Sequence, residues 1–160
     1  MTYYVRDAGR TLQFSGDRLS HSSSRRTGST RWVDMDLYRT TAGQYVLAKV
    51  AVSLLYHLGS CAIVQEHHLR PVSAATLVFD AVPCERCDPS AVEDNALVYP
   101  EVEVYRAQVC PDASCIITAL ERQDPISKQI YLTRVAQALL EEAALSDPAI
   151  TANMRTQIIP

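Results

Sequence analysis

A histidine and three cysteines near the middle of the chain form two short pairs, His57-x3-Cys61 and Cys84-x2-Cys87. No other feature restricts the fold as tightly, because a tetrahedral zinc ion takes four nitrogen and sulfur ligands and gathers two such pairs across a longer loop. The second pair is set in Val82-Pro83-Cys84-Glu85-Arg86-Cys87-Asp88-Pro89. This has the form of a metal knuckle, in which prolines flank a tight turn and both thiolates can point the same way. Four protein ligands close the coordination sphere, so the spacing predicts a structural zinc ion held by His57, Cys61, Cys84 and Cys87.

The same residues admit other readings. Cys84 and Cys87 could be a redox pair, and the thiols could be unliganded buried side chains. A thioredoxin-like pair opens a helix inside a βαβ pattern, whereas Cys84 and Cys87 sit between prolines with no continuous apolar strand leading into them. His67 or His68, between the two halves, could replace His57. Cys110 and Cys115 offer another pair across Pro111 but have no partner pair nearby, and so read as small buried hydrophobes.

At 160 residues the chain is long enough to bury one core, and no segment resembles a long linker. The expected organisation is one α+β domain over 1–160, with a β-meander at 1–56, a zinc-binding segment at 57–89 and a helical part at 112–157. A hydrophobic share of 48% with 21% charged residues excludes a disordered or collagen-like chain. The longest apolar stretch, 45–56, is interrupted by Lys49 and Ser53 and is too short to cross a bilayer. The first residues lack the basic-then-apolar pattern of a secretory leader, which predicts a cytoplasmic protein. In that reducing compartment five cysteines fit metal better than disulfides.

Charge is uneven along the chain. Residues 1–50 hold eight Lys/Arg against four Asp/Glu, and residues 51–160 hold seven against fourteen. Part of the basic excess lies in 21–31, where Ser, Thr and Gly predict a flexible loop carrying Arg25, Arg26 and Arg31. Arginine forks suit phosphate, so these three are the candidate nucleic-acid or phosphate contacts. Three arginines nonetheless fall short of the footprint of a dedicated nucleic-acid binder.

Before His57 the period is that of strands. Val33, Met35 and Leu37 alternate with Trp32, Asp34, Asp36 and Tyr38, and a turn at 40–43 leads into a second β-rich run, predicting a hairpin. A shorter hairpin turns at Asp7-Ala8-Gly9. The last strand runs into Tyr56-His57, which would hang the first half-site from a sheet edge. Towards the carboxy terminus the period becomes helical. Asp112 is placed to cap a helix at 113–120, although Cys115-Ile116-Ile117-Thr118 also suits a strand. A long amphipathic helix is expected over 126–145 with Leu139 in the core, and Asp147-Pro148 can open a final one.

The chain has no Gly-rich phosphate loop, no Gly-x-Ser-x-Gly elbow and no His-Glu-x-x-His pair. A zinc deaminase would need His-x-Glu ahead of its Pro-Cys-x-x-Cys, but His57 is followed by Leu58-Gly59 and His67 by His68-Leu69.

Between Arg10 and Lys49, the segments Arg-Thr-Leu-Gln-Phe-Ser-Gly and Asp-Leu-Tyr-Arg-Thr-Thr-Ala-Gly-Gln-Tyr-Val-Leu resemble the β-rich domain of the actinobacterial EXLDI family. The Glu-x-Leu-Asp-Ile segment for which that family is named does not occur in this chain. The resemblance implies a β-meander and a bacterial cytoplasmic setting, and assigns no residue a role. The expected function is that of a non-catalytic, zinc-stabilised binding or adaptor protein of the bacterial or phage cytoplasm with a protein partner. The alternatives are a nucleic-acid-associated regulator using 21–31 and a zinc-dependent enzyme.

Overall fold

A strand pattern that alternates at both ends of a tight turn has little choice but to pair with itself, and the amino-terminal half does so twice. In the computed structural model, which describes residues 1–87 and 97–157, β1 (Thr2–Asp7) and β2 (Arg10–Ser23) form an antiparallel hairpin with Asp7 opposite Arg10. β3 (Arg31–Thr40) pairs antiparallel with β2, and the turn after it uses Gly43 at φ 84° before β4 (Tyr45–Ser53) begins. Both expected hairpins are present. The carboxy-terminal elements are β9 (Val104–Cys110), α2 (Ala113–Leu120), a small hairpin of β10 (Glu121–Gln123) and β11 (Ile130–Leu132), α3 (Arg134–Ala144) and α4 (Pro148–Gln157). The fold is α+β.

Two compact units emerge from this chain, one formed by Met1–Ser24, Val33–Val50 and Tyr105–Pro160, the other by Arg25–Trp32 and Ala51–Val104. In the first unit the strand order is β1-β2-β3-β4-β9. The sheet curls until its outer strands meet: Ala8 N–H donates to the Tyr105 carbonyl at 2.8 Å and Ala107 N–H to Asp7 Oδ1 at 3.1 Å, while the Arg6 guanidinium lies 4.0 Å over the Tyr105 ring. Gly16 makes the bend possible, since a Cβ there would run into the Arg39 backbone, and a register shift between Arg18 and Ser20 adds twist. One face carries Met35, Leu37, Tyr45 and Leu47 into a core shared with Ile116, Ile117, Leu139, Leu140, Ala143 and Ile150 of the helices. The other face holds Val5, Tyr38 and Val46 with the Tyr3 and Phe14 rings.

The caps expected from sequence are in place. Asp112 Oδ1 accepts the Cys115 N–H at 2.9 Å, and Asp147 Oδ1 accepts the Ala149 N–H at 2.9 Å to open α4. The long helix expected over 126–145 is a correction. It begins only at Arg134, where Thr133 Oγ1 caps it through the Ala136 N–H. Ahead of it Asp124 Oδ1 collects the N–H groups of Ile126 and Ser127, and Lys128 adopts φ 63°, a turn that joins β10 to β11. Ile126 and Ile130 shared the helical spacing by chance and are 92% and 65% exposed. Leu139 is fully buried, as expected.

Cys110 and Cys115 also depart from the reading as separate buried hydrophobes. They are joined in a disulfide, with Cα atoms 5.6 Å apart, because the capped first turn of α2 brings Cys115 back over the end of β9.

The second unit is built on short strands. β5 (Leu55–His57), β6 (Val72–Ser73), β7 (Val82–Pro83) and β8 (Leu97–Pro100) form a sheet ordered β6-β8-β5-β7, with α1 (Ala62–Glu66) after β5. The expected placement of His57 at a sheet edge is thereby corrected, since β5 lies between β8 and β7.

Candidate metal centre

Parallel pairing of β5 with β7 explains how residues distant in sequence converge. The register sets Leu55 opposite Val82 and Tyr56 opposite Pro83, so the chain leaves the two strands at His57 and Cys84 side by side. The Cys84 N–H donates to the Tyr56 carbonyl at 2.9 Å and fixes that exit. Beyond β5 the chain folds back at once: the Cys61 N–H bonds the Leu58 carbonyl at 2.9 Å, and Cys61 then stands at the start of α1 with extended backbone. Beyond β7 the knuckle closes through the Cys87 N–H and the Cys84 carbonyl, also at 2.9 Å. Asp88 and Pro89, expected to complete it, lie outside the described residues.

The ligand atoms of His57, Cys61, Cys84 and Cys87 all lie within 4.8 Å of one another and could hold a metal ion. The Cys61 sulfur is 3.5 Å from His57 Nδ1, close to the separation of about 3.5–3.8 Å that tetrahedral geometry imposes on ligands at zinc bond lengths. Two amides face the sulfurs, Leu58 N–H at 3.4 Å from Cys87 and Arg86 N–H at 3.5 Å from Cys84. Such donors stabilise negative thiolate charge. Burial pushes the Cys87 thiol up, and the nearby Cys61 and Cys84 sulfurs add to the rise. His57 and Cys84 are buried, while Cys61 and Cys87 are partly exposed. His67 closes the end of α1 and His68 adopts φ 50°; both are exposed, and neither joins the four.

One residue here was not anticipated. Glu101 follows β8, its N–H bonded to the Leu55 carbonyl at 2.9 Å, and its Oε1 lies 3.0 Å from His57 Nε2. A carboxylate only accepts, so Nε2 carries a proton toward Glu101, and Nδ1 is the nitrogen turned toward the Cys61 sulfur. Burial pushes the Glu101 carboxyl up, but hydrogen bonds from Arg31 and His57 outweigh it and hold the group below the ordinary glutamate range. Arg31 grips it with both arms of its fork, Nε to Oε2 at 3.2 Å and Nη2 to Oε1. Sequence offered little signal for Glu101, which lies 44 residues from His57 and 70 from Arg31. Its position directly after a short apolar strand was the one available hint.

The basic segment differs from the loop expected over 21–31. β2 extends to Ser23 and β3 starts at Arg31, leaving a shorter connection that turns at Gly28, φ 81°. Arg25 pairs with Asp80 at 3.5 Å and lies 4.3 Å over the Trp32 ring. Arg26 gives its backbone N–H to Ser29 Oγ at 2.9 Å. Arg25 and Arg31 therefore turn to different carboxylates. Arg31 and Glu101 also line an open cleft of about 470 Å³ with Ile63, His67, Leu69, Val102 and Val104.

No described helix is long and apolar enough to cross a membrane. Comparison of the chain with protein-family models, with curated proteins and with solved structures found no match.

Proposed function

We propose that the chain is a non-catalytic binding protein whose second unit is stapled by one zinc ion. The observation that carries this reading is the closed set of His57, Cys61, Cys84 and Cys87 within 4.8 Å. Three sulfurs and an imidazole suit zinc, and with four protein donors the tetrahedral ion has no position left for a reacting water. The staple is needed because the strands around it are two to four residues long and such a sheet holds together poorly alone. Cytoplasmic residence belongs to the same proposal and rests on the three metal-binding thiolates alone, which persist best in a reducing compartment; the Cys110–Cys115 disulfide does not support it.

The exposure of Val78 and Phe79, side by side ahead of β7, favours a protein partner. Arg25 and Arg31 are engaged by carboxylates, which weighs against nucleic acid. Elemental analysis of full-length protein purified without chelator should find one zinc per chain. The Cys84→Ser variant should lose it. Protein free of zinc, or a variant with unchanged zinc, would defeat the staple. A captured partner should resist salt and nuclease, and should be lost when Val78 and Phe79 are both changed to serine.

A further inference from the structure

We propose that Glu101 and Arg31 form the supporting shell of the metal centre: Glu101 holds His57 so that Nδ1 is the metal-binding nitrogen, and Arg31 holds Glu101. The inference rests on the zinc reading above and assigns work within that site to two residues outside the ligand set.

An imidazole offers two nitrogens to a metal, and what the other nitrogen bonds decides which one coordinates. His57 is fully buried, so its second nitrogen must find a partner inside the protein. It has Glu101 Oε1 at 3.0 Å, on the side of the ring away from the Cys61 sulfur at 3.5 Å from Nδ1. Glu101 could not do this reliably if its carboxylate were free to swing. Its backbone is pinned to Leu55, and its two oxygens are occupied by the Arg31 fork. The Thr30 carbonyl accepts the Leu54 N–H at 2.8 Å, which fixes the residue before Arg31 against the residue before β5. A path of three side chains thus runs from the metal to the segment Arg25–Trp32, which belongs to this unit although it lies far upstream in sequence. On this account Arg31 serves the metal centre, in place of the phosphate contact that its setting in the basic segment suggested.

The test measures zinc affinity of the full chain by competition with a chromophoric chelator. Glu101→Ala should weaken zinc roughly 10- to 100-fold, the usual cost of removing such a partner. Glu101→Gln should recover part of the loss, because its amide oxygen can still accept from Nε2. Arg31→Ala should weaken zinc by a smaller factor, and Glu66→Ala, which alters an exposed glutamate of α1, should change nothing. In the zinc-loaded parent, nitrogen-15 NMR of the histidines should show His57 coordinated through Nδ1 with Nε2 protonated, a readout that does not depend on any variant folding. Unchanged zinc affinity in Glu101→Ala, or coordination through Nε2, would overturn the inference while leaving the zinc staple standing. A parent chain that takes up no zinc would remove both.

Discussion

The two units bury different kinds of groups. The first encloses Leu37, Leu47, Ile116, Ile117, Leu139, Leu140 and Ile150 almost completely, supplied by both a curled sheet and three helices. The described residues of the second bury Trp32, Val64 and Val98, and beside these few apolar side chains stand the His57 imidazole and the Cys84 thiol. Apolar area removed from water stabilises at about 25 cal/mol per Å², so the first unit has an ample driving force of its own. The second has short strands, a five-residue helix and little to bury. Segments of this kind are held by cross-links, and a metal ion gathering four side chains is a cross-link that forms without oxidation and that a chelator can reverse.

The strongest way to break the comparison is to remove a ligand. Cys84→Ser should abolish zinc binding and with it metal-linked stabilisation on the order of 10 kcal/mol. The loss should be confined to 25–32, 51–87 and 97–104, visible as collapse of amide dispersion there. Next in size, Leu139→Ala should destabilise the first unit by about 2–5 kcal/mol in denaturant melts, with zinc content unchanged at one per chain. Equal damage to metal binding from Leu139→Ala would show that the two units do not stand on separate forces.

A smaller effect tests the polar contact inside the first unit. Burial and the hydrogen bond to Asp147 at 2.8 Å push Tyr45 up to about 12. Its folded value lies above the unfolded one of about 10, so its contribution is fully present below pH 10 and is lost as pH rises towards 12. Tyr45→Phe should remove that alkaline loss, and absorbance titration should show one fewer late-ionising tyrosine in the variant than in the parent, since burial also pushes Tyr38 up in both. Smallest of all, Ile126→Ala should change stability by no more than about 0.5 kcal/mol, because the side chain projects from a turn.

That last residue shows where sequence reading succeeded and where it failed. Features encoded within a few residues were legible: the turns at Asp7-Ala8-Gly9 and at Gly43, the caps Asp112 and Asp147, and the spacing of the four ligands. Ile126 and Ile130 misled because periodicity records spacing and not burial, while the Asp124 turn that breaks the helix acts through side-chain bonds to Ile126 and Ser127. Features requiring distant strands to meet were hidden. The parallel pairing of β5 and β7, the contact of β1 with β9 and the Arg31–Glu101–His57 path depend on register, which no local pattern specified. Cys110 and Cys115 fall between these cases, since their spacing was plain but their bond follows from how α2 starts.

The central claim is that zinc holds the second unit and apolar burial holds the first. Amide hydrogen exchange of the full-length protein, with bound zinc and after removal of zinc by a chelator, tests it most directly. The account predicts that protection at β5, α1, β7 and β8 falls to near that of an open chain without the ion, while β1 to β3, α2 and α3 keep theirs. Uniform loss across both sets, or protection of β5 and β7 that is unchanged by the chelator, would contradict it.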